Sequence, residues 1–212
     1  AQVFLGGSGG LGTSAAWTWE SNEAGAQAGF SVATAGDVNG DGYSDVIVGA
    51  LYYDNDGLEA EGSAFVYYGS WSGLGASGTP DNADWKAEGN LADAHFGGTV
   101  AGAGDVNGDG YADVLVTATW YANGEEMEGA AAVWCGSSTG LGASGTPTNA
   151  DWGDEGDQAH AYFGTSAGTA GDVNGDGYAD IIIGGQGYSL PETSEGAAFL
   201  YYGGGRRGVS LN

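Results

Sequence analysis

The chain has 212 residues, with 28 Asp and Glu against three Lys and Arg, a net charge of −25, and 45 glycines but three prolines. An acidic excess of that size, with Lys86, Arg206 and Arg207 as the only cations, excludes nucleic acid and anionic membrane as electrostatic partners. Cys135 is the single cysteine, so no intrachain disulfide exists, and its apolar setting after Ala132-Val133-Trp134 points to a structural thiol rather than a nucleophile.

Ala1–Gly12 opens the chain as a short apolar strand and a glycine turn, and the same stretch returns as Ala64–Gly75 and Ala131–Gly142. Ala15–Glu20, centred on Trp19, reads as the next strand, with counterparts centred on Trp85 and Trp152. Ser31–Ala35 is a third strand and leads into Asp37-Val38-Asn39-Gly40-Asp41-Gly42-Tyr43-Ser44-Asp45, a stretch that recurs at Asp105–Asp113 and Asp172–Asp180. An apolar strand follows each copy at once: Asp45–Gly49, Asp113–Thr117 and Asp180–Gly184. Consecutive β-branched residues there predict burial on both faces. The runs Ala64–Tyr68, Ala131–Cys135 and Ala198–Tyr202 complete the set, and a short Gly-Arg tail ends the chain.

The spacing is nearly constant. Asp37 to Asp105 is 68 residues and Asp105 to Asp172 is 67, while Phe96-Gly97 recurs as Phe163-Gly164 and Glu61-Gly62 as Glu128-Gly129 and Glu195-Gly196. A fixed period decides the architecture. With the strand before the nine-residue stretch lettered A, the order is C-D, A-B-C-D, A-B-C-D, A-B-C. The predicted fold is all-β, about three four-stranded propeller blades of roughly 67 residues, incomplete at both ends. The expected divisions are a partial blade at 1–29, blades at 30–95 and 96–161, a partial A-B-C blade at 162–203, and a tail at 204–212.

The nine-residue stretch places oxygen-bearing side chains at positions 1, 3, 5 and 9 and glycine at position 6. Calcium loops of the EF-hand type use side-chain oxygens at 1, 3 and 5, a backbone carbonyl at 7 and glycine at the sharp turn. The expected ligands are Asp37, Asn39, Asp41, the carbonyl of Tyr43 and Asp45; Asp105, Asn107, Asp109, Tyr111 and Asp113; and Asp172, Asn174, Asp176, Tyr178 and Asp180. About three Ca²⁺ are expected, one per A–B loop. Asn-Gly and Asp-Gly are also ordinary turn dipeptides, but a turn does not require an acid or amide at every second position in three copies. A helix would have to follow an EF-hand or dockerin loop, and here Val46-Ile47-Val48 continues as a strand.

Phe-Gly, a strand, Asp-x-Asn-x-Asp-Gly-x-x-Asp, then an apolar strand ending Gly49-Ala50 resembles the FG-GAP repeat, which builds the β-propeller of integrin α-subunits and of many bacterial surface proteins. The resemblance covers essentially the whole chain. It departs locally: Phe30-Ser31 stands for the first Phe-Gly, and Thr117-Ala118 and Gly184-Gly185 for Gly49-Ala50. It implies calcium in the A–B loop. Calcium at about millimolar level outside the cell would fill loops of even modest affinity, so an extracellular, secreted or cell-surface location is expected. The start at Ala1-Gln2 would suit a mature N-terminus.

An up-and-down blade puts the A–B and C–D loops on one face and the B–C and D–A loops on the other. The second face would carry Tyr52-Tyr53-Asp54-Asn55-Asp56, Trp120-Tyr121-Ala122-Asn123-Gly124, Gln186-Gly187-Tyr188-Ser189, and the surroundings of His95, His160 and Tyr162. These aromatics either cap the blades or form a protein or glycan site. No nucleophile motif accompanies either histidine, so an enzyme is not expected. The expected role is adhesion or self-assembly, with copies of itself or neighbouring blades of a longer chain as partners. The alternatives are the subunit of an extracellular filament or closed homo-oligomer, and a glycan-binding lectin.

Overall fold

The computed structural model describes residues 1–54 and 57–204 and the backbone of 208–210. Asn55 and Asp56 of the first B–C loop, and Arg206 and Arg207 of the tail, lie outside the described residues. Three four-stranded antiparallel sheets follow one another along the chain. The first is β5 (Ala28–Gly36), β6 (Asp45–Ala50), β7 (Ser63–Tyr67) and β8 (Trp85–Glu88). The second is β9 (Phe96–Gly104), β10 (Asp113–Ala118), β11 (Ala130–Trp134) and β12 (Trp152–Glu155). The third is β13 (Phe163–Gly171), β14 (Asp180–Gly185), β15 (Ala197–Gly204) and β16 (Gly208–Ser210). Ahead of them, β1 (Gln2–Val3) pairs with β4 (Trp17–Thr18) across the small hairpin β2 (Gly6–Gly7) and β3 (Gly10–Leu11). The three four-stranded sheets are blades of the propeller type, each of their strands paired within the sheet only with its sequence neighbours.

Three details differ from the sequence reading. Strand A starts at Ala28, not Ser31: Ala28 pairs with Ala50 as Phe96 pairs with Ala118 and Phe163 with Gly185. The counterpart of Phe-Gly is therefore Ala28-Gly29, and Gly29, Gly97 and Gly164 share φ near +80° (80, 81 and 88°). In the first D strand Trp17, not Trp19, matches Trp85: Val3 faces Trp17 as Val66 faces Trp85. The indole Nε1 of Trp17 donates to the Ala76 carbonyl at 2.8 Å, as that of Trp85 donates to Ala143 at 2.9 Å. At the other end the backbone of Gly208–Ser210 turns back onto Tyr202–Gly204 and adds a fourth strand where a tail was expected.

The core lies between sheets rather than within them, as blade stacking requires. Ile47, Val66 and Trp85 of the first sheet meet Phe96, Val100, Val114 and Trp134 of the second. Leu115 and Val133 of the second meet Phe163, Ile181 and Tyr201 of the third. Trp17 and Trp19 cover Phe65 and Tyr67. Close approach also explains the Glu-Gly series. Gly62 and Gly129 hold φ of +80°, and a Cβ on either would lie 2.0 or 2.2 Å from the carbonyl oxygen of Phe96 or Phe163 in the following blade. Phe96 is buried between two blades, so Phe96→Ala is expected to cost about 3–5 kcal/mol of unfolding free energy. Urea denaturation of the variant checks it.

Candidate metal centre

Each nine-residue loop closes on its first residue. The carboxylate of Asp37 accepts the backbone N–H groups of Gly40 (2.7 Å), Asp41 (3.0 Å) and Gly42 (2.8 Å). Asp105 accepts those of Gly108, Asp109 and Gly110 at 2.7, 3.0 and 2.8 Å. Asp172 accepts those of Gly175, Asp176 and Gly177 at 2.7, 3.1 and 2.8 Å. These amides, that of Gly177 foremost, hold the Asp172 carboxyl below the usual carboxylate range. Asn39 Oδ1 accepts the N–H of Asp41, and Asp41 Oδ1 that of Tyr43; the other two loops repeat both bonds. The chain is thereby coiled around positions 1, 3 and 5. Glycine at 4 and 6 follows from positive φ: 74° and 89° at Gly40 and Gly42.

The ninth residue behaves differently. Asp45, Asp113 and Asp180 are fully buried. Asp45 Oδ2 accepts the N–H of Val38 at 2.9 Å and its Oδ1 that of Gly69 at 2.8 Å. Asp113 bridges Val106 and Gly136, and Asp180 bridges Val173 and Gly203, in the same way. One carboxylate thus ties the loop entrance to the end of strand C. Desolvation raises the Asp45 carboxyl to about 6 and the Asp113 carboxyl to about 7, and the loop's acids add to the shift.

The donors gathered in each loop are all oxygen: three carboxylates, one amide and the carbonyl of Tyr43, Tyr111 or Tyr178. That set suits Ca²⁺, which takes six to eight oxygens, and each carboxylate has lone pairs beyond those its amide partners use. Positions 1, 3 and 5 are half-buried or exposed, whereas Asp45, Asp113 and Asp180 are buried with both carboxylate oxygens on backbone amides.

Loops are also fastened to one another. The Ala112 N–H donates to the Asp37 carbonyl (3.0 Å), and that of Ala179 to Asp105 (2.9 Å). Tyr111 lies on Gly40 and Tyr178 on Gly108, where an added Cβ would sit 2.5 and 2.4 Å from the ring.

Among the described residues, the trio of acidic groups with oxygens mutually within 4.8 Å is elsewhere, at Glu128, Glu155 and Asp157. In the loops the carboxylates turn toward backbone amides instead. In the first blade the positions of Gly153 and Asp157 are held by Lys86 and Asn90, and the Lys86 ammonium lies 2.5 Å from Glu88. On the face away from the calcium-type loops, Tyr52, His95, Trp120, Tyr162 and Gln186 come together around one cavity. His160 does not join them; its Nε2 lies 3.8 Å from Glu126.

The FG-GAP repeat matches residues 28–67, 96–134 and 163–201, the same three starts that strand pairing gives. The chain belongs to the FG-GAP repeat family. Relatives include integrin alpha-V of Gallus gallus, 35% identical over 163 residues, covering 74% of this chain and 14% of the relative. Integrin alpha-4 of Xenopus laevis is 33% identical over 153 residues (71% and 14%), and integrin alpha-7 of Homo sapiens 32% over 173 residues (78% and 12%). The chain therefore spans a small part of the length of these relatives. No helix among the described residues is long and apolar enough to cross a membrane.

Its two amide bonds give the buried aspartate a structural part independent of metal. Asp113→Ala leaves the amides of Val106 and Gly136 without their acceptor, at about 1–3 kcal/mol each. A lower unfolding free energy for this variant in excess chelator, where metal ligation does not contribute, is the expected result.

Proposed function

We propose that the chain is an extracellular calcium-binding repeat module that acts in adhesion or assembly, with calcium in a structural role. The observation that carries this is the threefold repetition of one all-oxygen loop, coiled identically each time, with the first two bonded to the loop of the next blade. A cation at each A–B corner would neutralise the acids there and fix the turn against which the neighbouring blade packs. Ligands would be Asp37, Asn39, Asp41, Tyr43 and Asp45 in the first loop, with the same positions in the other two. Integrin α-subunits as relatives favour a location outside the cell and a binding role over catalysis. A site held at 100 times its dissociation constant adds about 2.7 kcal/mol to stability. Chelator is expected to lower the melting temperature sharply, and calorimetric titration to show about three Ca²⁺ per chain. Asp41→Ala removes one of them. An unchanged melt in chelator would defeat the reading.

A second reading, self-assembly, is favoured by the faces left open at the two ends. Val38 and Val106 are buried by the following blade, whereas their counterpart Val173 is 52% exposed. Ile47 and Leu115 are likewise buried, and Ile182 is 43% exposed. Gly175, the counterpart of Gly40 and Gly108, has no ring upon it, while Tyr43, the counterpart of the rings that cover them, is 43% exposed. A further blade of the same kind fits against either face. Second copies docking there would give a ring or a filament, according to whether the rotation closes. Light scattering in calcium is expected to give a multiple of the 21.0 kDa chain mass, and a stable monomer would discard copies of this chain as the occupant.

A further inference from the structure

We infer that the cavity on the face opposite the calcium-type loops is a binding site for a neutral saccharide. It has a volume of about 450 Å³ and draws its walls from all three blades. Its position is set by the repeat. Gln27, His95 and Tyr162 each stand immediately before strand A, and each has the left-handed backbone that non-glycine residues seldom adopt, with φ of 48, 56 and 49°. These three equivalent residues line one hollow; the same backbone recurs at Asn22, Asn90 and Asp157, so it belongs to the repeat frame that brings the side chains together. A second ring of equivalent positions, Leu51, Thr119 and Gln186, follows strand B.

The chemistry of the lining is the reverse of the rest of the molecule. The chain carries 28 acids, and among the described residues none lines this cavity. What lines it is aromatic, hydroxyl and carboxamide: Tyr52, Trp120 and Tyr162 beside Thr99, Thr165 and Gln186. The one titratable base there, His95, is buried, with its ring 4.1 Å from that of Trp120 at a tilt of 32° and edge-on to Tyr52 at 4.7 Å, and burial lowers its pKa, which favours the uncharged ring. Trp120 nevertheless remains 41% exposed, held as an open aromatic platform by the ring beneath it. A flat aromatic face with amides and hydroxyls around it matches a ligand that has an apolar C–H face and many hydroxyl groups. Among the described residues no Lys or Arg lines the cavity to pair with a sialic or uronic acid, so the saccharide is uncharged.

A comparison between the two faces strengthens the assignment. At the A–B corners the three blades keep the same residues at every expected ligand position. At the cavity, equivalent positions differ in each blade: glutamine, histidine and tyrosine in one set, leucine, threonine and glutamine in the other. The frame is common and the surface it presents is not, as expected where side chains select a ligand on a rigid scaffold. The inference does not depend on calcium being the bound ion.

The test uses the full chain in calcium with a panel of neutral and sialylated oligosaccharides, read by glycan array and then by tryptophan fluorescence and calorimetry. Neutral glycans are expected to bind, with the sialylated ones absent from the set. Trp120→Ala and, separately, Gln186→Ala should each weaken binding by tenfold or more with the melting temperature little changed. Gln186→Ala removes a hydrogen-bonding group without touching the His95 stack, so it reads the site even where Trp120→Ala unfolds the chain. No binding across the panel, a preference for acidic glycans, or binding indifferent to Gln186→Ala would overturn the inference.

Discussion

Each blade turns on the buried carboxylate that opens strand B. Asp45, Asp113 and Asp180 stand at the first position of strand B and accept one amide from the loop entrance and one from the end of strand C. The loop entrance, the start of strand B and the end of strand C are joined through two buried oxygens. An ionised group in that setting is costly unless hydrogen-bonded, and desolvation accordingly pushes Asp45 and Asp113 upward. A hard cation in the loop above would relieve the same cost, which links the internal pin of the blade to the metal that the loop is suited to hold.

From that corner the contacts run outward from blade to blade. The carbonyl of the first loop residue takes an amide from the next loop, a tyrosine ring covers the glycine at position 4, and the core forms between adjacent sheets. With most cohesion in the interfaces, a blade is only as stable as its neighbour allows. This is why large apolar groups that are buried in the first two blades become exposed in the third, at Val173 and Ile182.

The two faces of the array divide the labour. One repeats a single acidic loop and settles geometry; the other carries aromatic and amide side chains that change from blade to blade around an acid-free cavity. Glycine supplies the positive φ at positions 4 and 6 of the acidic loops, whereas Gln27, His95 and Tyr162 adopt it at the cavity, as Asn22, Asn90 and Asp157 do at another repeated turn.

The period, the four strands and the oxygen-bearing positions were legible in the sequence, because each depends on local alternation and on residue type at fixed spacing. Legibility failed where the deciding contact was distant. The Phe-Gly counterpart in the first blade was assigned to Phe30-Ser31 by its aromatic, yet the nine-residue step from Phe96 to Asp105 and from Phe163 to Asp172 leads from Asp37 back to Ala28. Trp17 and Trp19 alternate on one strand, and only pairing with Val3 and the bond to Ala76 select between them. The sequence by itself determined that the chain is a repeat of β blades with an oxygen-rich loop at one corner. Tertiary structure decided that the ninth aspartate is a buried tie, and that loops from three blades enclose a neutral cavity. Burial and convergence are properties of packing between segments, and no local pattern encodes them.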